Sequence, residues 1–394
     1  MKKSHKILLL TVLLILIAAL LSFFLAYRTT SSSSLHPYFQ YTQNDIASLK
    51  SLSTSASITK ESLKKWDSIA IELIRKNKLG DIDASLIMTY VYVGQRDAAF
   101  LSYQAKGKLA GNIGPLTADI FCLFLKNNCE ATKSYVQDPD AYSEALANIV
   151  FTAIKKRIAE NIKTTTLYSE KTGIEQWAGE RPYFGQDAGS WKPWLIAHGN
   201  AFRVPAPTNI DWQKQLQLTK EALSKISPKQ KSAVIFWAGN PGTVTPPGQW
   251  IIYANDYMWE NSIPIDKMLE VRAVLAMTIT DSLIAVFDSK YTYWIRRPNM
   301  FDPSIKTVMP TPNHPSYPAG HSTISGAAST ILNFYFPKNK AVWDTAAYEA
   351  SMSRIWGGIH FTADHEAGLA LGRNVANAAL KAEEMKNEKS QHSN

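Results

Sequence analysis

Long amphipathic runs recur along this chain, and turn signals of the β-hairpin kind are scarce. A chain patterned in this way buries its apolar faces helix against helix. Apolar residues return at helical spacing over 62–76 (Trp66, Ile69, Leu73, Ile74), 82–105, 141–162 and 210–226. They do so again over 267–294, 322–335, 342–355 and 365–385. The sequence predicts an all-α helical bundle. Two Gly/Pro-rich stretches, 177–207 and 239–248, are expected as long structured loops. With 45% apolar and 19% charged residues in 394, disordered and low-complexity classes are excluded.

Ile7 to Ala26 is a run of twenty residues without a charge, and about twenty helical residues cross a bilayer core. Lys2, Lys3 and Lys6 precede it, so the N-terminus is expected in the cytoplasm and the body outside. Residues 1–28 are read as an N-terminal signal anchor, 29–60 (with Ser31 to Ser34) as a linker, and 61–394 as an all-α catalytic domain. A cleaved signal peptide, giving a secreted or periplasmic protein, is the alternative. The next apolar stretch, 273–287, is interrupted by Asp281, so the body is not expected to be polytopic. Four of the 42 cations and none of the 33 acids fall in residues 1–28, which leaves the remainder at +5. That excess suits anionic ligands in a site rather than a nucleic-acid surface. Cys122 and Cys129, the only cysteines, lie about 10 Å apart on one continuous helix. They can pair only if Asn127–Asn128 breaks that helix.

Three short blocks carry the chemistry. Lys290 and Arg297 are seven residues apart, nearly two helical turns, before Pro298. On one helix they share a face, with Arg296 turned away. Pro318-Ala319-Gly320-His321 opens a helical run, which presents free backbone N–H groups to an anion. Arg354 and His360 flank Gly357–Gly358, which can turn both inward, and Asp364 follows His360 by four. Asp364 can orient the imidazole, cap the next helix, or do both. Together these are cations and amides for a tetrahedral oxyanion, one histidine for its central atom and another for protons.

The order Lys-x6-Arg-Pro, Pro-x-Gly-His and Ser353-Arg354-x5-His360-x3-Asp364 resembles the type 2 phosphatidic acid phosphatase and vanadium-dependent haloperoxidase superfamily. Gln95 to Phe100, Phe236 to Gly239 and Thr243 to Gly248 are similar to its bacterial soluble haloperoxidase-like branch. The resemblance implies the all-α fold of that group. It implies His360 as the residue that bonds vanadate or becomes a phosphohistidine, and His321 as the acid–base partner. It also implies Lys290, Arg297, Arg354 and the Gly320 amide as holders of the oxyanion. As a haloperoxidase the enzyme takes vanadate, peroxide and halide; as an acid phosphatase it takes a phosphomonoester and needs no cofactor. His314, with Phe287 as a second pocket candidate, stands where bromide-using relatives carry histidine. One position departs from the pattern: Ala319 replaces the family serine, which removes a hydroxyl donor worth about 1.5–3 kcal/mol. A weakly active or non-catalytic anion-binding protein is therefore the third reading, unless Ser322 substitutes. Asp97 is expected in a helix-surface ion pair or, less simply, as a buried carboxylate behind the site.

Overall fold

The computed structural model describes residues 35–391; the anchor reading of 7–26 and the Ser31–Ser34 spacer lie outside them. No helix among the described residues is long and apolar enough to cross a membrane. The helices are α1 (Gln43–Ser51), α2 (Lys60–Lys76), α3 (Asp81–Lys106), α4 (Gly114–Phe124), α5 (Cys129–Lys133) and α6 (Ala141–Thr164). After the first long loop come α7 (Trp212–Ser224), α8 (Pro228–Phe236), α9 (Thr245–Glu260) and α10 (Ile265–Tyr293). Then follow α11 (Pro298–Phe301), α12 (Gly320–Tyr335), α13 (Lys340–Trp356) and α14 (Thr362–Gln391). The all-α expectation holds, with no strand named among the described residues. The connector expected over 239–248 is shorter than read, because α9 already starts at Thr245. Pro246 and Pro247 sit in its first turn, where a missing N–H costs no hydrogen bond.

Helix α10 is the axis. It is buried all round from Val271 to Tyr291 and packs on α3, α9, α12 and α14. A helix with no solvent face reads as apolar on every side, yet α10 carries two buried carboxylates. Asp281 accepts the backbone N–H groups of Trp194, Leu195 and Ile196 at 2.7, 2.7 and 3.1 Å. Asp288 takes a two-pronged contact from Arg203 at 2.7 and 2.8 Å and the Tyr168 hydroxyl at 2.6 Å. The charge that interrupts the apolar run thus staples the first long loop to the axis. Burial raises the Asp281 carboxyl to about 6.

Helices α12 and α14 meet backbone to backbone. A Cβ on Gly372 would collide with the Thr323 carbonyl, and one on Gly368 would stand 2.6 Å from the Ala319 carbonyl. Only glycine permits that approach. It fixes the start of α12 beside the first turn of α14, where two of the three sequence blocks lie.

The linker reading of 29–60 is corrected from Leu35 onward. Leu35 is buried, and α1 buries Ile46 and Leu49. Asp97, fully buried, accepts the Tyr38 and Phe39 N–H groups at 2.8 and 2.9 Å and the Tyr41 hydroxyl at 2.9 Å. Asp97 does pair with Arg96 at 3.8 Å, but inside the protein and not on the helix surface; an unsatisfied buried carboxylate is costly, and the incoming chain satisfies it. Arg96 is buried as well and pairs with Glu383 at 3.2 Å. Cys122 and Cys129 form a disulfide, with Cα atoms 4.5 Å apart. Helix α4 ends at Phe124, so the two cysteines are not on one helix.

Replacing Asp97 by alanine removes three bonds to an ionised acceptor. It is expected to lower unfolding stability by about 3 kcal/mol and to speed exchange of the Tyr38 and Phe39 amides. Unchanged exchange at those two amides would show that the segment is held by other contacts.

Candidate active site

The three blocks converge at the end of α10. Lys290 lies in its last turn. The helix does not run on to Pro298, as the spacing suggested. Trp294 takes the left-handed conformation (φ 57°) and ends it, and Ile295 pairs with Gln176 across an isolated bridge. Arg297 is extended and precedes the short α11. The two cations meet because the chain doubles back, not because they share a helix face. Arg296 points away, its Nε donating to the Gln176 carbonyl at 2.8 Å. Gly320 and His321 open α12, and Arg354 closes α13. Gly358, at φ 75°, turns the chain, and the Ile359 N–H returns to the Arg354 carbonyl at 3.2 Å. Asp364 sits in the first turn of α14.

His360 has a defined tautomer. Its Nδ1 lies 2.8 Å from Asp364 Oδ2, which also accepts the Ser316 hydroxyl at 2.5 Å and the Phe361 N–H at 3.1 Å. A carboxylate oxygen only accepts, so Nδ1 carries the proton. On the other side of the ring, Arg297 Nη1 donates to Nε2 at 3.2 Å. Nε2 therefore holds a lone pair. Asp364 orients the imidazole and holds a first-turn N–H at once, so its two expected roles coincide. Ser316, which also lies 3.2 Å from Nδ1, was missed. A lone serine upstream of the Gly-His pair carries no signal until the loop folds over His360.

The cations are held by neutral acceptors. Lys290 Nζ donates to the Pro315 and Ser316 carbonyls at 2.8 and 2.6 Å. Arg297 donates to the carbonyls of His314 and Ile359 at 3.0 and 2.9 Å. Arg354 donates to the Val234 carbonyl at 2.9 Å. All three are fully buried. Burial lowers each: Lys290 well below the ordinary ammonium value, with Arg297 adding repulsion, Arg297 to about 10 and Arg354 to about 9. No carboxylate hydrogen-bonds any of them among the described residues. Desolvating an ion costs several kcal/mol unless an opposite charge arrives. The pocket is thus built for an anion. Asp81, at the start of α3, is a further residue that sequence reading missed; its charge reaches Arg354, and burial raises its carboxyl to about 7.

His321 donates from Nε2 to the Trp237 carbonyl at 2.7 Å, which leaves Nδ1 as an acceptor. His314 meets the Arg297 guanidinium at 3.1 Å and lies edge-on to Phe287, centroids 5.4 Å apart. His314 therefore adjoins the cations, and Phe287 packs against His314. Burial, with the neighbouring cations second, keeps His314, His321 and His360 well below the ordinary imidazole value. Ser322 does not replace the hydroxyl that Ala319 lacks: it turns to Ser351 on α13. In front of Gly320 the space is open, since a Cβ there would meet nothing within 4 Å. Buried cations around an open helix N-terminus, with an imidazole lone pair beside Arg297, suit a tetrahedral oxyanion such as vanadate or phosphate.

Residues 270–388 match the model of the PAP2 superfamily. The likeness to that superfamily thus covers the part of the chain that holds Lys290, Arg297, Gly320, His321, Arg354, His360 and Asp364. Over 114 residues the chain is 22% identical to the bacitracin transport permease protein BcrC of Bacillus licheniformis, covering 29% of this chain. Over 141 residues it is 27% identical to an undecaprenyl-diphosphatase of Sulfolobus acidocaldarius, covering 33% of this chain. The chain spans 55% and 66% of the length of these two relatives. A bacterial vanadium-dependent iodoperoxidase superposes with a TM-score of 0.69 at 19% identity, over 84% of this chain and 98% of that one. A holo-type bacterial vanadium-dependent chloroperoxidase gives 0.62 at 14%, over 78% and 93%. The fold is thus shared with these two proteins across nearly the whole of their chains.

Imidazole ¹⁵N spectra at pH 6.5 are expected to show His360 neutral, with Nδ1 protonated and Nε2 bare. Two protonated nitrogens there would overturn the assignment. The unfolded ring takes up a proton near 6.5 and the folded one resists it, so His360 costs stability progressively as pH falls below 6.5.

Proposed function

We propose that this chain is an extracytoplasmic vanadate-dependent haloperoxidase-like enzyme. The observation that carries the reading is the His360 Nε2 lone pair, held beside Arg297 and backed by Asp364. His360 Nε2 would bond the metal, while Lys290, Arg297, Arg354 and the Gly320 N–H would hold its oxygens. Bound vanadate supplies a Lewis acid that activates peroxide toward halide. His321 accepts a proton at Nδ1, a role that suits a ring kept neutral by burial and Arg354. His314 and Phe287 form the side where halide enters. The names of the solved relatives, an iodoperoxidase and a chloroperoxidase, support this reading. Residues 7–26 would anchor the enzyme outside the cytoplasm. The Cys122–Cys129 disulfide agrees with an oxidising compartment.

A phosphatase is the second reading, favoured by the undecaprenyl-diphosphatase relative. There Nε2 attacks phosphorus, the P–O bond to the alcohol breaks, and the departing oxygen needs a proton. Water then cleaves the phosphohistidine. His321 supplies that first proton only when it is doubly protonated. Its neighbours oppose that until the substrate's own charge enters, so this activity should rise toward acidic pH.

Full-length protein in detergent, loaded with orthovanadate, is expected to halogenate a dione with bromide or iodide and peroxide, and to lose this in His360→Ala. Hydrolysis of p-nitrophenyl phosphate without halogenation would replace the first reading with the second. Anion binding with neither activity would leave a vestigial site. Ala319→Ser restores one donor and is expected to tighten vanadate or phosphate about ten- to a hundredfold, read by competition titration.

A further inference from the structure

Arg354 makes one bond unlike the others in the site. Its Nε donates to the Ser353 hydroxyl and its Nη2 to the Val234 carbonyl, both at 2.9 Å. Its Nη1 donates to the sulfur of Met309, also at 2.9 Å. A thioether is a weak acceptor. Lys290 and Arg297 rest on carbonyls and imidazole nitrogens. Met309 is therefore the poorest acceptor that any of the three cations holds among the described residues. Arg354 is fully buried and the Met309 that touches it is half-buried, so the thioether covers the Nη1 edge of the guanidinium. A methionine that only filled space would lay its sulfur against apolar or aromatic groups.

The chain on either side of Met309 is held. Before it, the Val308 N–H donates to the Gly357 carbonyl at 3.0 Å. After it, the Asn299 amide donates to the Thr311 hydroxyl at 3.2 Å. The connector between α11 and α12 is thus pinned around Met309, and the side chain is the part free to turn. Methionine turns at low cost, because it is unbranched with three rotatable bonds. An anionic oxygen on Nη1 makes a charge-assisted bond, roughly twice as strong as a neutral one. Exchange of sulfur for that oxygen is therefore favourable. We propose that Met309 is a displaceable cover on the oxyanion site: its sulfur holds Arg354 in place while the site is empty and yields Nη1 to an oxygen of the bound oxyanion. The inference rests on Arg354 holding a tetrahedral oxyanion, which both readings of the function require. Met309 then sets how tightly the anion is kept, since every binding event must first break the sulfur contact.

The test is a calorimetric titration of the full-length protein in detergent with orthovanadate and with inorganic phosphate. Met309→Leu keeps the volume and removes the sulfur, so the empty site loses an acceptor that the anion would otherwise displace. The variant is expected to bind both anions about three- to tenfold more tightly than the wild type. A residue that only packed would, when replaced, weaken binding or leave it unchanged, and either result overturns the proposal. The second measurement is the ¹³C-methyl spectrum of methionine-labelled protein. The Met309 resonance is assigned by its absence in Met309→Leu or, should that chain misfold, in Met309→Ala. Saturation with phosphate is expected to shift this resonance as the sulfur leaves the guanidinium. A resonance that stays in place at saturation overturns the proposal on its own. Failure of the wild type to bind either anion would overturn the oxyanion site and this inference together. Binding by the wild type, with no tightening in Met309→Leu, would remove the role of Met309 and leave the oxyanion site standing.

Discussion

Lys290, Arg297 and Arg354 all lose their water within one pocket, and the surrounding structure is organised around that cost. Backbone carbonyls take most of their hydrogen bonds, which satisfies donors without cancelling charge. What remains is a concentrated positive potential in a poorly solvated place, where one entering anion is worth more than any surface ion pair. Burial first, and that potential second, depress the three histidines, so the site meets its ligand with neutral imidazoles and fixed cations.

Holding those cations together requires rigid walls. Helix α10 is enclosed by protein on every side, and its own carboxylates bind the loops that cover it. Asp281 gathers three successive amides and Asp288 grips Arg203. On the other side, Gly368 and Gly372 allow α14 to lie against α12. That contact brings His360 and Asp364 to the helix start at Gly320. Loss of either wall would let water reach the cations and weaken their hold on an anion.

The Trp237 segment does two things at once. Its carbonyl fixes the tautomer of His321, and its indole fixes Glu349 on the far side. The active site and the face of α13 that carries Glu349 therefore share one wall, built from the end of α8.

Much of this was legible in the sequence. Periodicity placed eight of the helices to within a few residues, the far end of α14 apart, because apolar spacing follows directly from which face is buried; it passed over α9 (Thr245–Glu260). The three blocks named Lys290, Arg297, Gly320, His321, Arg354, His360 and Asp364 as one constellation, and Ala319 as its departure. Tertiary structure alone decided the rest. It ended α10 at Trp294 rather than at Pro298, since a left-handed residue is set by the bridge to Gln176 and not by local propensity. It brought Ser316 onto Asp364, turned Ser322 away to Ser351, and made Asp97 the anchor of the chain entering at Tyr38. Each of these depends on a partner at least 29 residues away. Sequence spacing reports which residues share a face; it does not report what that face meets.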